Sequence, residues 1–197
     1  TIWADGGNDS VDGGAGNDFL HGGAGNDLIT DLGGDDLIWG DAGNDILNGG
    51  EGIDQVIGGV GNDTLYGGLG GDNVNGGEGD DVIYGGDGKV VNGVLDATDG
   101  GDGLNGGRGN DTIYGGGGND VVDGGEGNDI IYGNGATAIS YENAMVGVKV
   151  DLKAKVADAR LESDKLTDEY KTVGRDTFSG VYEVRGAQGK NQREGSA

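Results

Sequence analysis

The feature that most constrains this chain is a nine-residue period that runs through its first two thirds. Glycine pairs mark the repeats, as at 13–21 and 22–30, and the period continues to Tyr84 and again from Gly106 to Tyr132. In thirteen copies the sixth position is Asp and the eighth is aliphatic. A period this short and regular predicts a stack of similar coils, each too small to bury a core alone. The position-six residues are Asp9, Asp18, Asp27, Asp36, Asp45, Asp54, Asp63, Asp72, Asp81, Asp102, Asp111, Asp120 and Asp129.

Each position of the repeat predicts a local structure. Several glycines among the first six residues allow backbone angles that are closed to other residues, so this segment can turn tightly. Positions seven to nine form a short strand in which only the position-eight side chain points inward. Two repeats then make one coil, and stacked coils pair their strands in parallel around a thin aliphatic core. The pattern therefore predicts an all-β parallel solenoid.

The charge of the repeat region requires a positive partner. The chain carries −24, and residues 1–132 hold 26 acids against only Lys89 and Arg108. Such a polyanion with few apolar residues stays open in water. An isolated Asp can simply cap its own turn. Here thirteen Asp residues recur at the same position of the repeat, and together with backbone carbonyls they provide the hard oxygen donors that suit Ca²⁺.

The same composition excludes several other partners. The absence of Cys and the single His argue against a zinc or iron site. Scarce Lys and Arg argue against nucleic acid. No run of 18 apolar residues exists, so no membrane-spanning helix is predicted.

The pattern Gly-Gly-x-Gly-x-Asp-x-U-x, in which U is aliphatic, resembles the RTX (repeats-in-toxin) family of hemolysin-type calcium-binding proteins over residues 1–135. The resemblance implies a right-handed parallel β-roll with Ca²⁺ between successive turns on each side. One turn would supply the carbonyls of positions two and four and its Asp; the next turn on that side would supply the carbonyls of positions one and three and its Asp. The thirteen turns alternate between two sides of the roll, and each side has one pair fewer than it has turns, so there are eleven pairs, from Asp9 with Asp27 to Asp111 with Asp129. About eleven Ca²⁺ would nearly balance the charge of −24.

The resemblance also implies metal ligation by the turn segments at positions one to four. These residues are Gly14, Gly16, Gly22, Gly23, Ala24, Gly25, Asp31, Leu32, Gly33, Gly34, Gly40, Asp41, Ala42, Gly43, Gly49, Gly50, Glu51, Gly52, Gly58, Gly59, Val60, Gly61, Gly67, Gly68, Leu69, Gly70, Gly76, Gly77, Glu78, Gly79, Gly106, Gly107, Arg108, Gly109, Gly115, Gly117, Gly124 and Glu126.

Residues 85–105 interrupt the period. We interpret 89–100 as a loop inserted into one repeat, because four position-nine tyrosines then form a single outward row. The alternative, two repeats plus three residues, would break this row. The row is either an aromatic stack across neighbouring strands or a platform for a sugar polymer or a protein partner. Its members are Tyr66, Tyr84, Tyr114 and Tyr132.

The remaining residues, 136–197, predict a small C-terminal β-rich cap on the open end of the roll. They resemble the segment that follows the repeats in many RTX proteins. Residues 146–152 alternate like a half-buried strand, 157–171 predict a short helix, and 186–191 resemble a worn repeat that should bind calcium poorly. We expect the chain to be a piece of a longer protein.

The sequence predicts no catalytic site. His21 lies at an outward position and is expected to be an ordinary surface residue, and the G-x-G-x-x-G match at 101–106 follows from glycine density. The resemblance implies a bacterial protein that leaves the cell by type I secretion and folds outside it on Ca²⁺. The alternatives are an adhesin or surface-layer module that binds a glycan, and an accessory domain of a secreted enzyme or toxin. The expected partners are calcium ions and a surface glycan or other domains of the parent protein.

Overall fold

The computed structural model describes residues 1–88 and 99–140, together with six strand segments in the rest of the chain. In these residues the chain forms strands and no helix, and so none that could cross a membrane. The strands are β1 Ile2–Trp3, β2 Ser10–Asp12, β3 Phe19–Ala24, β4 Leu28–Thr30, β5 Leu37–Ala42, β6 Ile46–Glu51, β7 Gln55–Val60, β8 Thr64–Leu69, β9 Asn73–Glu78, β10 Val82–Tyr84, β11 Val90–Val91, β12 Val94–Leu95, β13 Gly103–Arg108, β14 Thr112–Tyr114, β15 Val121–Glu126, β16 Ile130–Ser140, β17 Lys149–Asp151, β18 Val156–Asp158, β19 Arg175–Arg185 and β20 Gln192–Glu194.

Successive repeat strands alternate between two parallel stacks. One stack runs β1, β3, β5, β7, β9, β13, β15, and the other runs β2, β4, β6, β8, β10, β14. Strands pair one coil apart, as where Leu47 lies opposite Leu65 and Val56 opposite Val74. The architecture is the predicted parallel β-roll.

The core is a single row of aliphatic side chains between the two stacks. These residues occupy position eight of each repeat, and most are completely buried, which confirms the predicted inward position. They are Val11, Leu20, Ile29, Ile38, Leu47, Val56, Leu65, Val74, Ile83, Leu104, Ile113, Val122 and Ile131.

The insertion leaves the coil register unchanged. Val74 pairs with Leu104 on one stack, and on the other β10 lies between β8 and β14. This is the register expected for one repeat interrupted by a loop. Within the insertion β11 and β12 form an antiparallel pair. We expected Asp99 in the loop, but its Oδ1 accepts a hydrogen bond from the Gly70 N–H at 3.0 Å, which fastens Asp99 to the roll.

The four position-nine tyrosines form a continuous aromatic stack. Neighbouring ring centroids lie 4.8–4.9 Å apart, and the ring planes agree within 12°. The backbone of Gly88, at the start of the insertion, lies beside the Tyr66 ring. The stacking interpretation of this row is thus confirmed.

A second aromatic stack lies on the opposite face. The His21 ring is sandwiched between Trp3 and Trp39, with centroids at 4.1 and 4.5 Å. Its Nδ1 lies 2.8 Å from Asp41 Oδ2, and its side chain is only 14% exposed. The expectation of an ordinary surface histidine was wrong, because parallel pairing sets the three rings in line one coil apart.

The end of the roll continues past residue 135. Strand β16 crosses that predicted boundary, and its Ile139 pairs with Val122 and joins the core. Strand β19 then pairs in parallel with β16, which adds a further layer to this end. The division into roll and cap therefore stays a prediction.

Two further predictions concern the C-terminal region. Strand β17 covers part of the alternating stretch 146–152, and β18 includes the first residues of the expected helix at 157–171. The rest of both stretches and the worn repeat at 186–191 lie outside the described residues.

The tyrosine stack predicts a position-dependent stability change. Tyr84→Leu removes two ring contacts and Tyr132→Leu only one, so we expect Tyr84→Leu to lower the free energy of unfolding by about 1–3 kcal/mol and Tyr132→Leu by about half as much. Urea unfolding in saturating calcium measures both. Equal losses would show that stacking does not set the stability of this face.

Candidate metal centres

Every predicted aspartate pair is brought together by the fold. In each of the eleven pairs the earlier Asp donates its backbone N–H to Oδ1 of the Asp one coil later, at 2.7–3.3 Å. The pair across the insertion, Asp72 with Asp102, has the same geometry at 2.9 Å. The position-six side chains thus form one ladder on each side of the roll.

The ladder is buried and carries unsatisfied acceptors. From Asp27 to Asp129 the position-six residues are only 1–3% exposed. In many of them Oδ2 is buried without a hydrogen-bond donor among the described residues, which is costly for a carboxylate. Since such an oxygen recurs from coil to coil along each ladder, a cation is the partner that these atoms fit. The position-six residues with such an Oδ2 include Asp9, Asp27, Asp36, Asp45, Asp54, Asp63, Asp72, Asp81 and Asp102.

Glycine at position one keeps space in the turn for these oxygens. A Cβ on Gly58 would collide with Oδ2 of Asp63 and crowd the carbonyl oxygen of Gly76, one coil later. The turn itself needs left-handed backbone at positions two and four, where Gly59 and Gly61 have φ of +119° and +134°. Carboxylate and carbonyl oxygens therefore meet in one concave turn, a donor set that suits Ca²⁺.

Burial raises the pKa of the central aspartates. It raises the pKa of Asp102 to about 8, and repulsion from Asp99, Asp72 and Asp120 adds to this effect. Burial likewise raises the pKa of Asp72 to about 7 and of Asp81 to about 7. These carboxylates resist ionisation unless a positive charge joins them, and a bound cation would act in the opposite direction by stabilising the anion.

A second ladder, at position five, was not predicted from the sequence. Asn44 accepts a hydrogen bond from the Asn62 N–H at 2.9 Å, and Asn62 accepts one from the Asp80 N–H at 3.0 Å. These bonds run from the later to the earlier coil, opposite to those at position six. The recurrence of Asn at position five, as in Asn8 and Asn26, was the available signal. This exposed ladder joins the outer edges of the turns.

Two features that were not expected to be reactive, the G-x-G-x-x-G match and His21, have defined places in the fold. A dinucleotide-binding G-x-G-x-x-G loop precedes a helix, whereas residues 103–106 of the match at 101–106 lie in strand β13. His21 contacts two indoles and Asp41.

Fold and turns together define a parallel β-roll with carboxylate-lined turns on both sides. The profile of the RTX calcium-binding nonapeptide repeat matches the chain in four copies, at residues 1–29, 21–56, 57–89 and 96–135. The chain belongs to this family of calcium-binding repeat proteins. No curated protein matches it.

The raised pKa values predict a pH dependence of the calcium-free chain. In the folded roll the pKa of Asp102 is about 8 and that of Asp63 about 6, both above the ordinary 3.8. The stability that these groups contribute is complete below about pH 4 and is lost as the pH rises through about 6 to 8, because the unfolded chain releases its protons first. We expect the β-sheet signal in circular dichroism with chelator to increase as the pH falls from about 8 to about 4.

Light scattering must accompany this titration, because the sequence pI is about 4.1 and aggregation would imitate folding. A β-sheet signal that is constant or increases with pH in monomeric protein would contradict the prediction. In saturating calcium the trend should reverse, since protons compete with the metal for the same carboxylates.

Proposed function

We propose that this chain is a non-catalytic module that folds when Ca²⁺ fills the turns of its roll, within a larger secreted protein. The observation that carries the proposal is the pair of buried aspartate ladders, beside which the described residues place no comparable positive charge. Arg108 lies at the surface, 2.9 Å from Glu78 and 3.7 Å from Glu126. The ammonium group of Thr1 is 3.4 Å from Asp18 and exposed. Family membership supports calcium as the missing cation.

Each pair of stacked turns would form one site, about eleven in all. The Asp63–Asp81 pair illustrates the ligand set: both carboxylates, with the carbonyl oxygens of Gly59 and Gly61 from one turn and of Gly76 and Glu78 from the next. The Asp45 N–H holds Oδ1 of Asp63, and the Asp63 N–H holds Oδ1 of Asp81. The backbone therefore orients each carboxylate, while the second oxygen remains for the ion.

Sharing of ligands would make binding and folding one process. An aspartate in the middle of a stack belongs to two pairs, so an ion at one site orders half of the next. In low calcium the repulsion among carboxylates keeps the chain open; near millimolar calcium each bound ion offsets that repulsion and stabilises the folded state.

This coupling suits a protein that folds outside the cell. Cytosolic calcium is scarce, so the chain would remain unfolded before export and fold where calcium is abundant. Because the chain belongs to this family and calcium is scarce in the cytosol, we propose that the larger protein is bacterial and leaves the cell by type I secretion. The activity of the parent, as an enzyme, toxin or surface protein, would reside in other domains.

The glycan-platform alternative gains little from the tyrosine stack. Carbohydrates pack on the faces of aromatic rings, whereas the rings of Tyr84 and Tyr114 are covered by stacked neighbours on both faces. Tyr132, at one end of the stack, is the most exposed of the four tyrosines, at 41%.

Calcium titration tests the proposal directly. We expect far-UV circular dichroism and small-angle X-ray scattering to report an expanded chain in chelator and a compact β-roll at millimolar Ca²⁺, reversed by chelator. Magnesium serves as the control, because its shorter bonds and stricter octahedral geometry do not suit these turns. Full compactness in chelator at neutral pH would exclude the proposal.

Substitutions along the ladder predict unequal losses. Asp63→Asn should weaken two sites, those shared with Asp45 and Asp81, whereas Asp9→Asn should weaken only the one shared with Asp27. Asparagine keeps the Oδ1 acceptor and the packing, so the change isolates the charge. We expect isothermal titration calorimetry to show about two fewer tight ions for Asp63→Asn and about one fewer for Asp9→Asn.

Asp80→Asn is the matched control for loss of charge. Asp80 lies at exposed position five, where Asn62 and Asn110 occupy the neighbouring coils. It should leave the number of bound ions unchanged. Equal effects of Asp63→Asn and Asp80→Asn would indicate general electrostatics instead of ligation.

A further inference from the structure

One repeat breaks the glycine rule at position one. Apart from Ala4 in the first repeat, Asp31 is the only residue other than Gly at this position. Its turn also differs in backbone: Leu32, at position two, lacks the positive φ that Gly23 and Gly59 have there. The turn at 31–36 has therefore been reshaped around a side chain that the other turns exclude.

The Asp31 carboxylate is buried and directed into the turn stack. The residue is 4% exposed, and its Oδ1 accepts hydrogen bonds from the N–H groups of Leu32 at 2.6 Å and Gly33 at 3.2 Å. Its Oδ2 is buried without a donor among the described residues and lies against Gly13, in the preceding turn on the same side. In the regular turns that place beside position one is taken by the repeat's own aspartate, as by Asp63 beside Gly58.

This arrangement brings three carboxylates together. Oxygens of Asp18, Asp31 and Asp36 lie within 4.8 Å of one another, the one such group of three found in the described part of the chain. Asp36 is 3% exposed, its Oδ1 is held by the Asp18 N–H at 2.7 Å, and its Oδ2 is also buried without a donor. Asp99 also acts on Asp72 and Asp102, but its oxygens do not form such a group of three with that pair, and no other pair has a third carboxylate oxygen within this distance among the described residues.

We propose that the Asp31 side chain is a third carboxylate ligand of the Asp18–Asp36 site, which makes this the tightest site of the roll and the first to fill. The proposal rests on the proposed calcium-dependent function and adds an order of filling to it. Calcium affinity in oxygen sites increases with the number of charged ligands. The same excess of negative charge favours a trivalent ion of similar size, so Tb³⁺ should select this site over the two-carboxylate sites.

Three variants isolate the Asp31 carboxylate. Asp31→Asn keeps the size and the Oδ1 acceptor but removes the charge, and Asp31→Gly restores the glycine that the other turns have at position one. Asp35→Asn is the matched control, because Asp35 is exposed in the same turn and accepts its hydrogen bond from the Ile53 N–H as the position-five asparagines do. All three remove one negative charge within five residues of each other.

Calorimetric titration with Ca²⁺ and with Tb³⁺ supplies the measurement. In the unaltered chain and in Asp35→Asn we expect a class of about one ion that binds about ten-fold more tightly than the rest. In Asp31→Asn and Asp31→Gly that class should merge with the others while the β-sheet signal in saturating calcium is retained. Persistence of the tight class in both Asp31 variants, or its loss in Asp35→Asn, would overturn the proposal.

Anomalous diffraction from crystals grown with one equivalent of Tb³⁺ gives an independent readout. The strongest peak should lie between Asp18 and Asp36; a strongest peak at another turn would overturn the proposal.

Failure of this inference is distinguishable from failure of the proposed function. If the unaltered chain binds several calcium ions and folds, but the Asp31 variants bind as it does, only the inference fails.

Discussion

Repulsion among buried carboxylates is the constraint on which this roll depends. Its core is one row of aliphatic side chains, too thin to offset the burial of two aspartate ladders. Because each ladder hydrogen bond places one aspartate against the next, neutralising a single turn also relieves its neighbours. On the proposed function, ion occupancy and coil formation would therefore be coupled. Burial, with added repulsion from Asp99, Asp72 and Asp120, raises the pKa of Asp102 and shows the same cost of a buried carboxylate.

The sequence predicts the coil arrangement well, because a strict period leaves few alternatives. A side chain such as Leu65 at position eight can only face inward, and Asp63, two residues earlier, must then lie at the turn. The register across the insertion followed from the tyrosines, since only one alignment places Tyr84 between Tyr66 and Tyr114. The pairing of aspartates across coils followed from the same register.

The period does not determine contacts that depend on individual side chains. His21 looks like a surface residue until strand pairing places indoles on both its faces. Asp31 resembles a lost glycine, because the direction of its Oδ2 depends on a local change in the turn. Asp99 rejoins the roll before the nonapeptide pattern resumes, as its hydrogen bond to Gly70 and its position beside Gly86 show. Each of these interactions joins residues that belong to different coils.

The unchanged register across the insertion has a consequence for how such a chain can acquire new segments. The coils on either side pair as though no residues intervened, with Asp72 bonded to Asp102 as closely as in uninterrupted turns. A solenoid held together by contacts between adjacent layers can therefore accept an inserted pair of antiparallel strands without disturbing the layers above and below. The insertion point is therefore a suitable place to graft a foreign peptide, such as an epitope or affinity tag. On the proposed function, the grafted peptide would be presented once calcium folds the roll.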